Sequence, residues 1–513
     1  MSAGRIEPRG AAAASVPGGL SAERAVLLLI GISALCRLVL AAQLGLSVDE
    51  SYSVAISRRF ALSYFDHPPL HVWLVGAWAR LLGTEASLAL RVPDIVLFAG
   101  STWLMYRLTA LVYGVAAGVW AALALNLAPV FTLNAAGGIV PDGPMVFFAL
   151  LALYCFVRAM SSPPPPRRAL AWWFGAGAAA GLALLSKYLA IFTILSLAFC
   201  LLTCRPRRLR EGGPWLAAFL IVLLFLPVLI WNHSHEWASF AFQGGRARPA
   251  GLSLGRAAVD FAGQLLYLLP WSALALLYVL VRAMRGGPRD EATWLFVWLS
   301  APAIMFFALA GLWTTVLPHW PAIGWLFGLP LLGSWLAAIA AQRPRLVRGI
   351  AFASAALLVS VIALGVTQAR TGWLDEKIPA LAGADPTLDF LDWRELKYPV
   401  ARHRAQDPDL VVATVSWIDA GKVSYALGGD EVPVLCLSSD AREFGFLYDE
   451  QPWRGRTLLI IADGARKDWL QLATPRFVRI EPLEDVQLTR AGKAALTLHT
   501  AWGYGFRPRV GLP

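Results

Sequence analysis

The sequence has little charge for its length. Lys, Arg, Asp and Glu make up 15% of its 513 residues, whereas 58% are hydrophobic and 22 are Trp. A soluble protein of this size needs far more charge to cover its surface. Apolar runs of roughly 20 residues, enough to cross about 30 Å of hydrocarbon, recur from Ala25 to Val366. The composition excludes a soluble globular protein and predicts a chain that lies mostly in lipid.

Cysteine is scarce too, and familiar motifs are missing. Four of the five cysteines fall in apolar runs and Cys436 stands alone, so neither a disulfide framework nor a CxxC metal site is predicted. No glycine-rich phosphate loop and no internal repeat is evident. The first apolar run, 25–46, lacks a small-residue cleavage site and exceeds a signal-peptide core in length, so we expect a retained helix.

The remaining pattern predicts a polytopic α-helical membrane protein with a C-terminal soluble α/β domain. We expect a cytoplasmic segment at 1–24, a transmembrane domain at 25–367 and a soluble domain at 368–513. The apolar runs, divided at their breakers, predict about eleven transmembrane helices. They lie near residues 25–46, 88–111, 114–133, 142–160, 169–185, 187–204, 214–231, 257–281, 292–312, 320–340 and 347–366.

Two other regions have their own patterns. Within the first outer loop, 47–87, the segments Ser51–Leu62 and Pro69–Leu82 are too short and polar to span, and we expect two juxtamembrane helices there. After residue 367 the charge density rises, and short apolar runs predict buried strands separated by helices such as Asp389–Leu396 and Asp419–Leu427. The predicted strands lie near residues 410–415, 432–437, 457–461 and 477–480.

The net charge of +11 is explained by topology rather than by a nucleic-acid partner. The basic residues form short clusters between apolar runs instead of one continuous face. With the spans counted as above, every cluster falls on one side, which the positive-inside rule identifies as the cytoplasm. We therefore expect a bacterial inner-membrane protein with a cytoplasmic N-terminus and a periplasmic C-terminal domain. The clusters include Arg5, Arg9 and Arg24; Arg167 and Arg168; Arg205, Arg207, Arg208 and Arg210; Arg282, Arg285 and Arg289; Arg343, Arg345 and Arg348.

The opposite, outer side collects ionisable residues, including five of the seven histidines. Ionisable groups at membrane depth are costly and usually serve a site, so their shared side indicates one. The residues are Asp49, Glu50, His67, His71, Asp142, Lys187, His233, His235, Arg246 and His319.

The acidic pair Asp49-Glu50, at the outer end of the first span, has two readings. In the structural reading it is an interfacial anchor or caps the next helix through Asp49. In the other reading it is catalytic. Glycosyl transfer needs a base for the attacking acceptor and cations for the departing phosphate. Asp49 or Glu50 suits the first role and His67, Lys187, Arg246 and His319 suit the second, with Asp142 as a second acid.

Ordered motifs in this region resemble the GT-C glycosyltransferases, in the bacterial branch of the lipid A aminoarabinose transferase and the relatives of protein O-mannosyltransferases. The motifs cover most of residues 25–340 in the family's order. They are Asp49-Glu50, Tyr64-Phe65-Asp66-His67-Pro68-Pro69-Leu70, Pro141-Asp142-Gly143-Pro144, Ser186-Lys187-Tyr188, Phe242-Gln243-Gly244-Gly245-Arg246 and Pro318-His319-Trp320-Pro321-Ala322.

The resemblance implies a GT-C fold and inverting transfer of a sugar from a polyprenyl-phosphate donor to a hydroxyl of a lipid, glycan or protein. It makes Asp49 the base, beside Glu50, and it places Tyr52, Tyr64, Asp66 and Gln243 in the pocket. Where the aminoarabinose transferase has a phosphate-binding Lys in its first outer loop, this chain has His67. Histidine is cationic only near or below pH ~6.5 unless a neighbour such as Asp66 raises its pKa.

Simpler readings of single residues stay open. His67, before Pro68-Pro69, could cap a turn, and Lys187 could snorkel to the interface as other helix-end lysines do. His233 and His235 have a spacing that could hold zinc, but no clear carboxylate or Cys partner accompanies them. We expect no bound metal and no cofactor, although the histidines leave a divalent ion open.

Two other functions fit the same organisation. A transporter or flippase of a lipid-linked or small substrate would also have about eleven spans, but transporters often show internal repeats and midplane charges. A non-catalytic scaffold would have no need of acids and bases near lipid. We therefore expect a transferase in contact with the bilayer, a lipid-linked sugar and an envelope acceptor, and with no nucleic acid.

Overall fold

The computed structural model describes residues 21–161, 166–246, 251–378 and 385–509. Most of the predicted N-terminal segment 1–24, with Arg5 and Arg9, lies outside the described residues. The part of the chain up to residue 378 is helical. Its helices are α1 (Ala22–Gln43), α2 (Val48–Ser57), α3 (Leu70–Leu82), α4 (Ser87–Tyr113), α5 (Val115–Leu127), α6 (Asp142–Ser161), α7 (Pro166–Ser186), α8 (Ile191–Cys204), α9 (Gly212–Ser234), α10 (Ala238–Gly245), α11 (Leu254–Leu268), α12 (Pro270–Gly286), α13 (Glu291–Ala310), α14 (Ala322–Gln342), α15 (Pro344–Thr371) and α16 (Trp373–Lys377).

Every predicted span coincides with a helix, but not every helix is long enough to cross a membrane. Within the described ranges, eight helices pass by length and composition, and a ninth results if α11 and α12, bent by 103°, are one span. The remaining two, α5 and the 188–204 segment, are shorter apolar helices. Helix α5 ends because Pro129 follows, and proline pushes the residue before it into extended backbone, here Ala128 with ψ 115°.

The two juxtamembrane helices are present as α2 and α3. Helix α2 begins before and ends earlier than the predicted Ser51–Leu62, whereas α3 matches Pro69–Leu82 within one residue. Eight of the ten residues of α2 are buried, so this helix packs against protein on most of its surface.

The C-terminal domain, residues 385–509, is built on a six-stranded sheet. Strands β2, β1 and β3 are parallel, and β6 runs antiparallel to β3, β4 and β5. The four predicted strands are β1 to β4; the β5–β6 hairpin around Ala491-Gly492 was not predicted. The elements are α17 (Lys397–Gln406), β1 (Val412–Thr414), α18 (Trp417–Leu427), β2 (Val434–Cys436), α19 (Phe444–Leu447), β3 (Leu458–Asp463), α20 (Trp469–Ala473), β4 (Arg479–Pro482), β5 (Val486–Arg490) and β6 (Lys493–Tyr504).

The chain divides into two compact units. The first, called the helical unit, holds Met1–Leu38, His67–Leu70 and Pro93–Val359, and the second, called the mixed unit, holds Val39–Asp66, His71–Val92 and Ser360–Pro513. Each unit has its own apolar core. In the mixed unit, residues of α2 and the first outer loop, such as Ile56 and Tyr64, share that core with Val412 and Val423 of the C-terminal domain.

Candidate active site

Helix α2 carries the acidic pair, and its first turn explains why it begins where it does. The Ser47 hydroxyl accepts a hydrogen bond from the Glu50 backbone N–H (3.3 Å), and the Glu50 carboxylate accepts one from the Ser47 backbone N–H (2.8 Å). This reciprocal arrangement is a capping box, which satisfies two amide groups that a helix start leaves open. The cap is Ser47, so the alternative in which Asp49 caps the helix is wrong.

The buried Glu50 carboxylate also holds an arginine. Arg91 of α4 donates from Nε and Nη2 to the two Glu50 oxygens, each at 2.6 Å, and both side chains are almost fully buried. The same guanidinium donates to the backbone carbonyls of Leu44 (3.0 Å) and Gly45 (2.7 Å). Both oxygens of the Glu50 carboxylate therefore accept hydrogen bonds from Ser47 or Arg91. This favours a positioning role for Glu50 over the role of a base.

Asp49 has the opposite character. Its side chain is exposed, yet many protein atoms surround it, and this desolvation raises the pKa of its carboxyl. The carboxylates of Asp389, Asp66 and Glu50 raise the pKa further, while Arg442 opposes them. An accessible carboxylate with a raised pKa is a stronger base than an ordinary one, which is what general-base chemistry requires.

Three other predicted residues are held by hydrogen bonds in the mixed unit, and two of them, Tyr52 and Asp66, share one network. The buried Tyr52 hydroxyl donates to Asp66 Oδ1 (3.0 Å), and Arg442 Nη1 donates to Asp66 Oδ2 (3.2 Å). The Tyr64 hydroxyl donates to the backbone carbonyl of Arg59 (3.1 Å). Tyr52 and Asp66 therefore tie the first half of the first outer loop to the C-terminal domain, whereas Tyr64 hydrogen-bonds within the loop itself.

Arg442 is held in an unusual conformation. Its backbone has φ 48°, in the left-handed region that few non-glycine residues adopt. The guanidinium lies 3.6 Å from the centre of the Trp417 ring, a cation–π contact that compensates for part of this strain. The next residue, Glu443, is buried, its carboxylate accepts from the Phe65 backbone N–H (2.7 Å), and burial raises its pKa well above the usual range.

The helical unit holds a second charged group. Lys187 Nζ donates to both carboxylate oxygens of Asp142, at 2.9 and 2.7 Å, and both side chains are largely buried. Lys187 lies in extended backbone where α7 ends, so the break in the helix directs its side chain to the start of α6. The alternative in which Lys187 snorkels to the interface is wrong, because its ammonium is paired inside the protein.

The two histidines predicted to bind phosphate belong to the same unit. His67 and His319 both lie within electrostatic range of Asp142. Burial, reinforced by Lys187 and Arg246, lowers the pKa of His319 to about 4, although Asp142 opposes the shift. His319 is therefore neutral at neutral pH, and it can offer phosphate a hydrogen bond but no charge.

Arg246 and Gln243 lie at the end of α10. The Arg246 guanidinium lies over the rings of Phe242 (4.7 Å) and Trp320 (5.9 Å), which restrict where it can point. Gln243 is half-buried. Arg246 also influences His319 electrostatically. One electrostatic group is thus formed by His67, Asp142, Lys187, Arg246 and His319.

His233 and His235, the alternative zinc pair, contact aromatic rings. The His235 ring stacks on Trp231 with centroids 4.1 Å apart, and its Nδ1 lies 2.8 Å from the Trp231 carbonyl oxygen. The His233 ring meets Trp237 edge to face. In the parts of the chain that the structure describes, no three His, Cys, Asp or Glu side chains are grouped as metal ligands would be.

The predicted site residues are thus divided between the units. Asp49, Glu50, Tyr52, Tyr64 and Asp66 belong to the mixed unit, and His67, Asp142, Lys187, Gln243, Arg246 and His319 belong to the helical unit. Sequence reasoning missed the partners that hold the acidic pair in place. The sequence could have indicated Arg91, since an Arg in an apolar span usually has a buried acidic partner. It could not have indicated Asp389, Arg442 and Glu443, because charged residues are ordinary in a soluble domain.

Comparison with known proteins agrees with this architecture. Residues 66–231 match the family described as dolichyl-phosphate-mannose-protein mannosyltransferase. The lipid A galacturonosyltransferase RgtD of Rhizobium johnstonii is 24% identical over 291 residues, which are 56% of this chain and 60% of that protein. The chain therefore matches less than two thirds of this relative's length.

Solved structures share the fold over almost the whole chain. ArnT from Cupriavidus metallidurans, bound to undecaprenyl phosphate, superposes with a TM-score of 0.61 at 18% identity, covering 93% of this chain and 97% of that one. The oligosaccharyltransferase AglB from Archaeoglobus fulgidus gives a TM-score of 0.54 at 12% identity, covering 94% and 74%. In its ordered motifs, in the matched residues 66–231 and in its fold, the chain thus resembles the GT-C glycosyltransferases, in the bacterial branch of ArnT and the relatives of protein O-mannosyltransferases.

Proposed function

We propose that the protein is an inverting glycosyltransferase that moves a sugar from a polyprenyl-phosphate donor to an acceptor hydroxyl at the outer face of the bacterial inner membrane. Its N-terminus is then cytoplasmic and its C-terminal domain periplasmic. Asp49 takes the proton of the attacking hydroxyl, the new bond forms at the anomeric carbon, and the carbon–oxygen bond to phosphate breaks. The bonding electrons leave with the phosphate, and the configuration at the anomeric carbon inverts.

The contrast within the acidic pair is the observation that supports this mechanism most. Two neighbouring carboxylates have different surroundings: Glu50 is bound by Arg91, while Asp49 is accessible and has a raised pKa. Pairs of acids whose environments separate their properties are typical of acid–base sites. Asp49 is therefore the proposed base, and Glu50 the residue that orients its helix.

The charged group of the helical unit supplies the proposed donor contacts. Lys187 and Arg246 offer cations for the phosphate, and His67 and the neutral His319 offer hydrogen-bond donors. In this scheme the ion pair with Asp142 holds the Lys187 side chain in its buried position until the phosphate arrives. The mechanism assigns no step to a metal or another cofactor.

The relatives suggest which substrates to test first. One relative is a lipid A galacturonosyltransferase by name, and one structural neighbour was solved with undecaprenyl phosphate. We propose a uronic acid as the sugar and lipid A as the acceptor, which makes the reaction a modification of lipopolysaccharide. A uronosyl donor carries a carboxylate beside its phosphate, and the cations Lys187 and Arg246 suit such a doubly anionic molecule.

The experiment compares the purified wild type with Asp49→Asn. Each is incubated with undecaprenyl-phosphate galacturonic acid and lipid A, and the product is measured by mass spectrometry. Loss of a general base lowers the rate by roughly 10²- to 10⁴-fold. Asp468→Asn, the same change at an exposed aspartate of the C-terminal domain, is the matched control and should leave the rate unchanged. Near wild-type transfer by folded Asp49→Asn, or uptake into sealed vesicles without any product, would overturn the proposal.

A further inference from the structure

The C-terminal domain holds the chain segment from which Asp49 emerges. Two polar contacts act on adjacent parts of the backbone between α1 and α2. Asp389 Oδ1 accepts a hydrogen bond from the Val48 backbone N–H (2.9 Å), and Lys422 Nζ donates to the Leu46 backbone carbonyl (2.6 Å). Asp49 is the next residue along the chain, so these contacts constrain the backbone immediately before it.

Lys422 is the centre of this arrangement. Its side chain is 3% exposed, and its ammonium also donates to the carbonyls of Leu391 (3.2 Å) and Asp389. An ammonium has three donors, and here all three are used on backbone carbonyls of two separate chain segments. One buried cation thus ties the 389–391 segment to residue 46.

The charge on Lys422 survives its burial. Desolvation lowers the pKa of the ammonium to about 8, but the carboxylates of Asp389, Glu50 and Asp392 favour the charged form, and Arg91 opposes them. At neutral pH the side chain is therefore mostly cationic. Its loss would leave buried carbonyl groups without their strongest donor.

Close packing between α18 and α2 also connects the C-terminal domain to the segment around Asp49. Gly421 precedes Lys422 on α18, and a Cβ added at Gly421 would meet the Tyr52 Cα of α2 at 3.0 Å. The two helices approach each other at backbone distance only because this residue is glycine. Lys422 can therefore reach past α2 to the carbonyl that precedes it.

We propose that Lys422, with Asp389, is a positioning residue that sets the geometry of the base Asp49 from the C-terminal domain. Neither residue touches the substrates in this scheme. The proposal rests on the proposed function, because it needs Asp49 to be the base. A misplacement of about 1 Å in a catalytic group can cost roughly 10²-fold in rate, so loss of the contact should lower turnover without weakening donor binding.

The test uses the full-length protein with Lys422→Met, and with Asp389→Ala as a second variant, since half-buried Asp389 should be easier to remove without unfolding. Lys467→Met, at an exposed lysine of the same domain, is the matched control. Three quantities are measured: kcat, the stoichiometry and Kd of undecaprenyl phosphate binding, and the pH dependence of kcat.

We expect kcat to fall about 10- to 100-fold in both variants, with one phosphate still bound per protein at unchanged Kd. The acidic limb of the pH profile of kcat should shift along the pH axis, because the surroundings of Asp49 change. A merely structural role would lower the binding stoichiometry together with kcat and leave the limb in place, and this result would overturn the proposal. Wild-type kcat in both variants would overturn it as well.

The two proposals fail differently. If Asp49 is not the base, Asp49→Asn keeps its activity, or the wild type transfers no sugar from the lipid-linked donor. If only the positioning proposal is wrong, Asp49→Asn is inactive, while Lys422→Met and Asp389→Ala have the same kcat as the control Lys467→Met.

Discussion

Removing the arginine that holds Glu50 should destabilise the mixed unit strongly. Arg91→Met leaves the Glu50 carboxylate buried at 2% exposure without the arginine that donates to both of its oxygens. Removing one partner of a buried ion pair costs about 3–5 kcal/mol, because the remaining charge stays desolvated. The carbonyls of Leu44 and Gly45 lose their donor as well, so we expect the upper part of that range.

The assay is thermal unfolding in detergent, followed by intrinsic tryptophan fluorescence. Arg107→Met is the matched control, since Arg107 lies on the same helix with an exposed side chain and should change stability by less than about 0.5 kcal/mol. The double variant Glu50→Met/Arg91→Met removes the buried carboxylate as well and should recover part of the loss, because an apolar pair can replace a buried ion pair at little cost. An Arg91→Met protein as stable as Arg107→Met, or a double variant less stable than Arg91→Met, would refute this reasoning.

Three further predictions follow from the charged groups. Because Asp49 must be deprotonated to act as a base, kcat/KM should fall as pH drops through its raised pKa, and Asp389→Asn, which removes a charge that raises this pKa, should move the limb to lower pH. Lys187→Met should weaken binding of undecaprenyl phosphate by about 10- to 100-fold, since a hydrogen bond to a charged group contributes roughly 1.5–3 kcal/mol, while Lys467→Met should bind it as the wild type does. Burial raises the pKa of Asp419 to about 7, so the folded state holds this proton more tightly than the unfolded state, and stability is lost as pH rises from about 4 to 7. Melting temperatures should therefore show Asp419→Asn equal to the wild type near pH 4 and more stable at pH 8; equal stability at both values would contradict the prediction.

The sequence predicts the parts of this protein that depend on local pattern. Hydropathy along the chain located a helix at every proposed span, and short apolar runs located β1 to β4. The span predicted at 114–133 was overestimated in length because Pro129 follows α5 and ends the helix at Leu127. The β5–β6 hairpin was missed because its turn, Ala491-Gly492, needs positive φ at both residues, and alanine gives no signal for that conformation.

The division of roles between Asp49 and Glu50 could not be predicted in the same way. Adjacent residues on a helix point about 100° apart, so one faced Arg91 and the other did not, but the sequence does not say which. Only tertiary contacts decide that question. The same is true of Lys422: a lysine in the second turn of a helix normally points to solvent, and nothing near it in the chain indicates a carbonyl 376 positions earlier.

That separation along the chain has a consequence for biogenesis. The core of the mixed unit contains Ile56 and Tyr64 from the first outer loop and Val412 and Val423 from near the end of the chain. At a synthesis rate of about 5–20 residues per second, the 376 positions between Leu46 and Lys422 take roughly 20–75 s to make. During that interval the apolar residues of α2 have no partner from the C-terminal domain. The nascent loop therefore needs another apolar surface, such as the membrane interface or a chaperone, to shield it, and a chain truncated before residue 410 would never supply the missing partner.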